Sequence, residues 1–146
     1  MKKQKRIWIS LLFSFILIIV LSGCNGPKTA KINVFFYPNP VPYSSAIGKW
    51  SFDIILTESN GIGVTLTSLK FDSYNQQGQL FSTQNLDEED IIDWFDSNYL
   101  PAFSTLKASS IYHTSAEIKY DILTVEGVGD NYYPIKATGR INYLRK

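Results

Sequence analysis

Cysteine and histidine are almost absent from this 146-residue chain: Cys24 and His113 are the sole members of their types. One thiol cannot close an intrachain disulfide, so a fold of this size has to be held by an apolar core. One imidazole cannot supply zinc, because structural sites want four Cys or His ligands and catalytic sites three protein ligands. The same scarcity excludes most hydrolytic constellations. No G-x-S-x-G elbow accompanies His113, which reads as an exposed loop residue. The pattern therefore offers no catalytic residue, no cofactor and no transition metal, and the chain reads as a non-enzyme. Fixed-period repeats and basic clusters are missing too, which removes the electrostatic footprint that nucleic acid needs.

What is present begins at the N-terminus. Lys2, Lys3, Lys5 and Arg6 precede an apolar run from Ile7 to Leu21, which closes on Leu21-Ser22-Gly23-Cys24. Ile7 to Ser22 would make roughly 24 Å of helix against about 30 Å of hydrocarbon, too short to span comfortably. Small residues directly before a lone cysteine are a cleavage feature. The stretch resembles the signal peptide of bacterial lipoproteins, with Leu21, Ser22, Gly23 and Cys24 as the lipobox. The resemblance implies cleavage between Gly23 and Cys24 and a lipid on the Cys24 sulfur, detectable as incorporated palmitate. It implies a signal peptide over 1–23, a lipidated tether over 24–31 and a folded domain over 32–146. The location it implies is the cell envelope, anchored to a bacterial membrane and facing periplasm or exterior. Two or more acyl chains hold a protein stably, at about 0.8 kcal/mol per buried methylene.

Removing residues 1–23 leaves 123 residues, one domain's worth, with ten basic and thirteen acidic side chains. Asn25 to Lys31 is polar and holds a Gly-Pro pair, as a spacer would. Ile32 to Tyr37 is β-rich but runs into Pro38, Pro40 and Pro42, which forbid regular ladder pairing there. From Trp50 the alternation is clean, with Trp50, Phe52, Ile54 and Leu56 on one face. Asn60-Gly61-Ile62-Gly63 then turns the chain into Val64 to Asp72. There the apolar set slips by one residue between Leu66 and Leu69, the mark of a bulge. A short strand through Leu80 and Phe81 follows.

Asp87 to Ser97 is the helix candidate, capped by Asp87, stapled by Leu86 and Ile91, and striped by Ile91, Ile92, Trp94 and Phe95. Its acids, Asp87 to Asp90 with Asp93 and Asp96, complement the positive helix end and lack the glycine-centred loop of a calcium site. Glu126, Asp130 and Asn131 form a weaker calcium candidate that turn chemistry also explains. Strands near Phe103 to Ala108, Ala116 to Val125 and Ile135 to Leu144 complete the chain. In the second of these, Ile118, Tyr120 and Ile122 oppose Lys119 and Asp121.

About seven short antiparallel strands with one short inserted helix predict a mainly β protein, a two-sheet sandwich. The proline-bearing first strand, the tryptophan of the second and the terminal hairpin resemble bacterial immunoglobulin-like domains over roughly residues 32–144. A lipocalin-like barrel carrying a small apolar ligand is the alternative. Aromatic pairs supply the candidate contact residues: Phe36 and Tyr43 near the proline segment, and Tyr132 and Tyr133 in the last turn, where outward rings could meet an envelope protein or a glycan. The main expectation is a non-enzymatic binding or assembly module, joined to the membrane through its lipid.

Overall fold

The computed structural model describes residues 26–115 and 117–144, so the lipobox Leu21 to Cys24 lies outside the described residues. The strands are β1 (Ile32–Tyr37), β2 (Val41–Ser44), β3 (Lys49–Glu58), β4 (Val64–Asn75), β5 (Leu80–Leu86), β6 (Tyr99–Leu100), β7 (Thr105–His113), β8 (Ile118–Gly129) and β9 (Pro134–Leu144). Among the described residues one helix, α1 (Glu88–Phe95), sits between β5 and β6. The described residues are therefore mainly β with one short helix, as the alternation predicts. The strands number nine rather than about seven, because the proline segment contributes β2 and the stretch after the helix contributes β6.

Pairing follows the path β1-β3-β2-β9-β8-β4-β5, with β7 on β3 and β6 on β4. Every pair is antiparallel except β2 with β9, where Val41 lies opposite Tyr143 and Pro42 opposite Leu144. The sheet is thus mixed, and it is not closed into a barrel. Among the described residues β5 pairs with β4 and β7 with β3, and the two do not pair with each other. The lipocalin-like barrel is accordingly set aside.

The core forms where the inward faces of β3 and β7 meet those of β4, β8 and β9. Ile54, Leu56, Leu66, Leu69, Leu123 and Ile141 are fully buried there. Each such side chain contributes about 1.5–3 kcal/mol relative to exposure. Trp50 packs edge-on against Tyr143 at 5.7 Å between ring centroids, tying β3 to β9. Helix α1 starts where its sequence directs. The Asp87 carboxylate accepts from the Glu89 and Asp90 N–H groups at 3.0 and 3.1 Å, and Asp90 accepts from the Asp87 N–H at 3.2 Å. Leu86 and Ile91 are both buried beneath that cap.

Two irregularities in the β4–β8 ladder set which side chains face inward. The first lies between Leu66 and Ser68, where the apolar slip in the sequence places it. The second lies between Tyr74 and Asn75 and has no apolar signature. Past it, β8 runs in the phase opposite to that read from Ile118, Tyr120 and Ile122. Asp121, Leu123 and Val125 are the buried residues, while Tyr120 and Ile122 are only half-buried. A charged side chain is thereby carried into the core.

Candidate functional site

The β3–β4, β6–β7 and β8–β9 connections form one end of the molecule, and the segment before β1, residues 26–31, meets it there. Glu58 organises this end. It is 1% exposed, yet its carboxylate accepts four backbone N–H groups: Lys31 at 3.1 Å, Asn60 at 2.8 Å, Gly61 at 2.7 Å and Phe103 at 3.1 Å. Burial alone would raise its pKa, but the backbone donors from Phe103, Lys31, Asn60 and Gly61 outweigh it and bring the value down to about 2. One side chain thus fastens the segment before β1, a turn and a loop together. Asn131 Nδ2 donates to the Lys28 carbonyl at 2.6 Å and Asn60 Nδ2 to the Thr29 carbonyl at 2.6 Å, which bind the tether further.

Aromatic rings rim the same end. Phe103 is 73% exposed and Tyr132 90% exposed, and both hold left-handed backbone, with φ of 55° and 65°. A bulky residue in that region costs on the order of 1–2 kcal/mol. Lys28 Nζ lies 6.0 Å from the Phe103 ring centroid, and a Cβ at Gly61 would come within 2.5 Å of that ring. Tyr133 is exposed beside Tyr132.

Toward the other end, a cleft of about 90 Å³ opens between the edge strands β5 and β7, partly roofed by α1. Phe52 and Ile111 form one wall, Phe71, Ser73 and Asp121 the other, and Trp94, Tyr112 and His113 stand at its sides. Asp121, like Glu58, is 1% exposed. Its Oδ2 accepts the Tyr143 hydroxyl at 2.7 Å, but Oδ1 has no hydrogen-bond partner among the described residues. Burial pushes the Asp121 pKa up, against the lowering influence of the Tyr143 and Ser73 hydroxyls and of His113. Ser73 lies opposite Asp121 in the β4–β8 ladder. Burial, and then the Asp121 charge and its hydrogen bond to the hydroxyl, hold the Tyr143 phenol well above its usual range.

His113 is not a loop residue. It ends β7 and is half-buried, with its ring 5.5 Å from that of Tyr143 and 6.5 Å from that of Trp50. Burial lowers its pKa, and the Asp121 charge opposes this. Its Nδ1 accepts the Ser115 N–H at 3.1 Å, which places the proton of the neutral ring on Nε2. The cleft therefore gathers an imidazole, a carboxylate and two serines, but not as a nucleophile relay. In such a relay the carboxylate takes the Nδ1 proton, and here Nδ1 is an acceptor.

The contact residues proposed from sequence separate into two groups. Tyr132 and Tyr133 are exposed. Phe36 is 8% exposed and packs on Phe52, so it cannot serve as a surface contact; its neighbour Phe35 holds the outward position. Tyr43 is half-buried against Trp50, with centroids 4.8 Å apart. Trp94, on the apolar stripe of α1, packs half-buried against the core and also lines the cleft. The three members of the weaker calcium candidate have other partners: Glu126 pairs with Lys136 at 2.8 Å, Asp130 accepts from Tyr99 at 3.0 Å, and Asn131 holds the tether.

No family model matches this chain, and no curated protein matches it. Solved structures do align with it. An X-ray structure of a Northeast Structural Genomics Consortium target is 12% identical, covering 82% of this chain and 92% of its own, at a TM-score of 0.49. The putative ApaA protein from Bordetella pertussis is 10% identical, covering 81% of this chain and 94% of its own, at a TM-score of 0.44.

Proposed function

We propose that this chain is a lipid-anchored, extracytoplasmic binding module, held to a bacterial membrane through Cys24 and acting without catalysis on an envelope partner. The observation that carries this reading is the aromatic rim around the tether. Lys28 stands four residues after Cys24, so at most about 14 Å of chain separates it from the lipid. The end bearing Phe103, Tyr132 and Tyr133 therefore faces the bilayer, where aromatic rings favour the headgroup region. Tyr132 and Tyr133 serve in this reading as interfacial contacts.

Eight residues of β8 separate Asp121 from Gly129 at the rim, which at about 3.4 Å each sets the cleft some 27 Å along the strand, away from the bilayer. The module stands on its rim and presents the cleft outward. An immunoglobulin-like arrangement is supported by the opposed β3–β7 and β9–β8–β4–β5 ladders, the proline break after β1, and Trp50 packed on the terminal hairpin. The parallel β2–β9 pair departs from a purely antiparallel sandwich.

Radioactive palmitate labelling of cells making the full chain or its Cys24→Ser variant tests the anchor. The label and the membrane fraction should both contain the parent and lose the variant. A parent recovered unlabelled from the soluble fraction would contradict the reading.

A further inference from the structure

Among the described residues, Asp121 is the one buried charge with an oxygen that lacks a hydrogen-bond partner. A buried carboxylate oxygen without a donor carries a desolvation cost that the Tyr143 hydrogen bond to the other oxygen offsets only in part. The cleft in front of it supplies no Lys or Arg among its lining residues, and His113 is held as a neutral ring by the Ser115 N–H. Two ionisable groups are too few for a metal, and no cluster of three or more His, Cys, Asp or Glu occurs among the described residues. Aromatic side chains, Phe52, Phe71, Trp94 and Tyr112, make up much of the remaining wall, with the ring centroids of Phe71 and Trp94 6.0 Å apart. Ring faces beside an unpaired carboxylate are the surroundings that attract an organic cation.

We propose that this cleft binds the ammonium end of a primary alkylamine, with Asp121 Oδ1 accepting from the ammonium and the aromatic rings packing on its methylenes. The volume, about 90 Å³, is smaller than the ~150 Å³ cavity that admits a benzene ring. A slim chain of propylammonium size fits; a branched or cyclic amine does not. The Ser82 and Gln84 side chains of exposed β5 stand at the mouth, where the rest of the ligand would emerge. The inference deepens the binding-module reading by naming what the outward cleft recognises, and it rests on that reading but not on the anchor.

The test is an NMR titration of the full chain in detergent micelles with propylammonium, and in parallel with 1-propanol, its neutral counterpart of equal length. Saturable shifts should appear at Asp121 and at the Trp94 indole, with 1-propanol weaker by about tenfold or more. Asp121→Asn should abolish the preference for the cation. Equal affinity for the two probes, or no saturable shift with propylammonium, would overturn the proposal and leave the cleft to water. The comparison of probes on the parent chain stands even if the variant fails to fold. Cys24→Ser protein should bind the amine unchanged, so loss of anchoring and loss of amine binding are separate results. A blocked lysine that outcompetes 1,4-diaminobutane would identify the ligand as a protein side chain, and the reverse order a free polyamine.

Discussion

Glu58 and Asp121 are equally buried carboxylates near opposite ends of one molecule, and the fold treats them differently. Glu58 accepts four backbone N–H groups and its pKa falls to about 2. Asp121 accepts one phenol on Oδ2, keeps Oδ1 without a donor, and has its pKa raised. Burial is thus not what separates a fastening from a binding group; the count of donors is. Where the backbone saturates a buried charge, the charge holds loops in place. Where the donors run short, a buried acceptor is left without a partner.

The strongest way to break this contrast is to remove each carboxylate in turn. Glu58→Ala strands four backbone donors and should cost about 3–5 kcal/mol in urea unfolding at pH 7. A loss under about 1 kcal/mol would show that Glu58 fastens nothing. The same group gives a pH signature. Its folded pKa of about 2 lies below the ordinary 4.5, so its stabilisation is complete above the unfolded value and disappears as pH falls from 4.5 toward 2. The linked contribution is about 3 kcal/mol. Glu58→Gln should flatten the stability profile across that window, which unfolding at pH 5 and pH 2.5 measures directly.

Tyr143→Phe sharpens the contrast from the other side, because it takes from Asp121 its hydrogen bond at 2.7 Å. It should cost about 1–3 kcal/mol at pH 7 and raise the Asp121 pKa further. A variant as stable as the parent would mean that the hydroxyl does not support the charge. At the rim, Phe103→Gly and Tyr132→Gly relieve left-handed backbone and should each stabilise by about 1 kcal/mol in thermal unfolding. Both should also reduce hydrogen-exchange protection of residues 101–104 and 130–133 when the lipidated protein sits in vesicles. Protection equal to that of the parent would remove the rim from the membrane.

Asp121→Asn carries the smallest stability effect, within about 1 kcal/mol and in the stabilising direction at neutral pH. A raised folded pKa means that the ionised group weakens the fold as pH rises through that value. Removing the charge removes that penalty.

The sequence shows Glu58 and Asp121 alike only as acids, and the parts it discloses well are the local ones. The Asp87 cap, the Leu86–Ile91 staple and the bulge before Leu69 each involve neighbours within a few residues, so their pattern and their structure coincide. β2 was hidden by Pro42, but a parallel ladder of two residue pairs demands little of proline's missing N–H. The orientation of Asp121 was hidden by the irregularity at Tyr74 and Asn75, which inverts the alternation of β8 without any glycine or proline to mark it. His113 took its place in the cleft for a related reason: β7 continues to residue 113 through Ser110, a left-handed position that reads as a strand end. The aromatic excess of the last turn was visible. That the tether leaves beside it depends on contacts between residues 28 and 131, which periodicity cannot report.

Carboxyl-carbon NMR titration of Glu58 and Asp121 in one sample, with and without propylammonium, tests the contrast most directly. Glu58 should titrate near 2 and be indifferent to the amine, and Asp121 should titrate above the ordinary aspartate value of about 3.9 and be pulled down when the amine is added. Glu58 titrating at an ordinary value, or Asp121 titrating below one and unmoved by the amine, would contradict it.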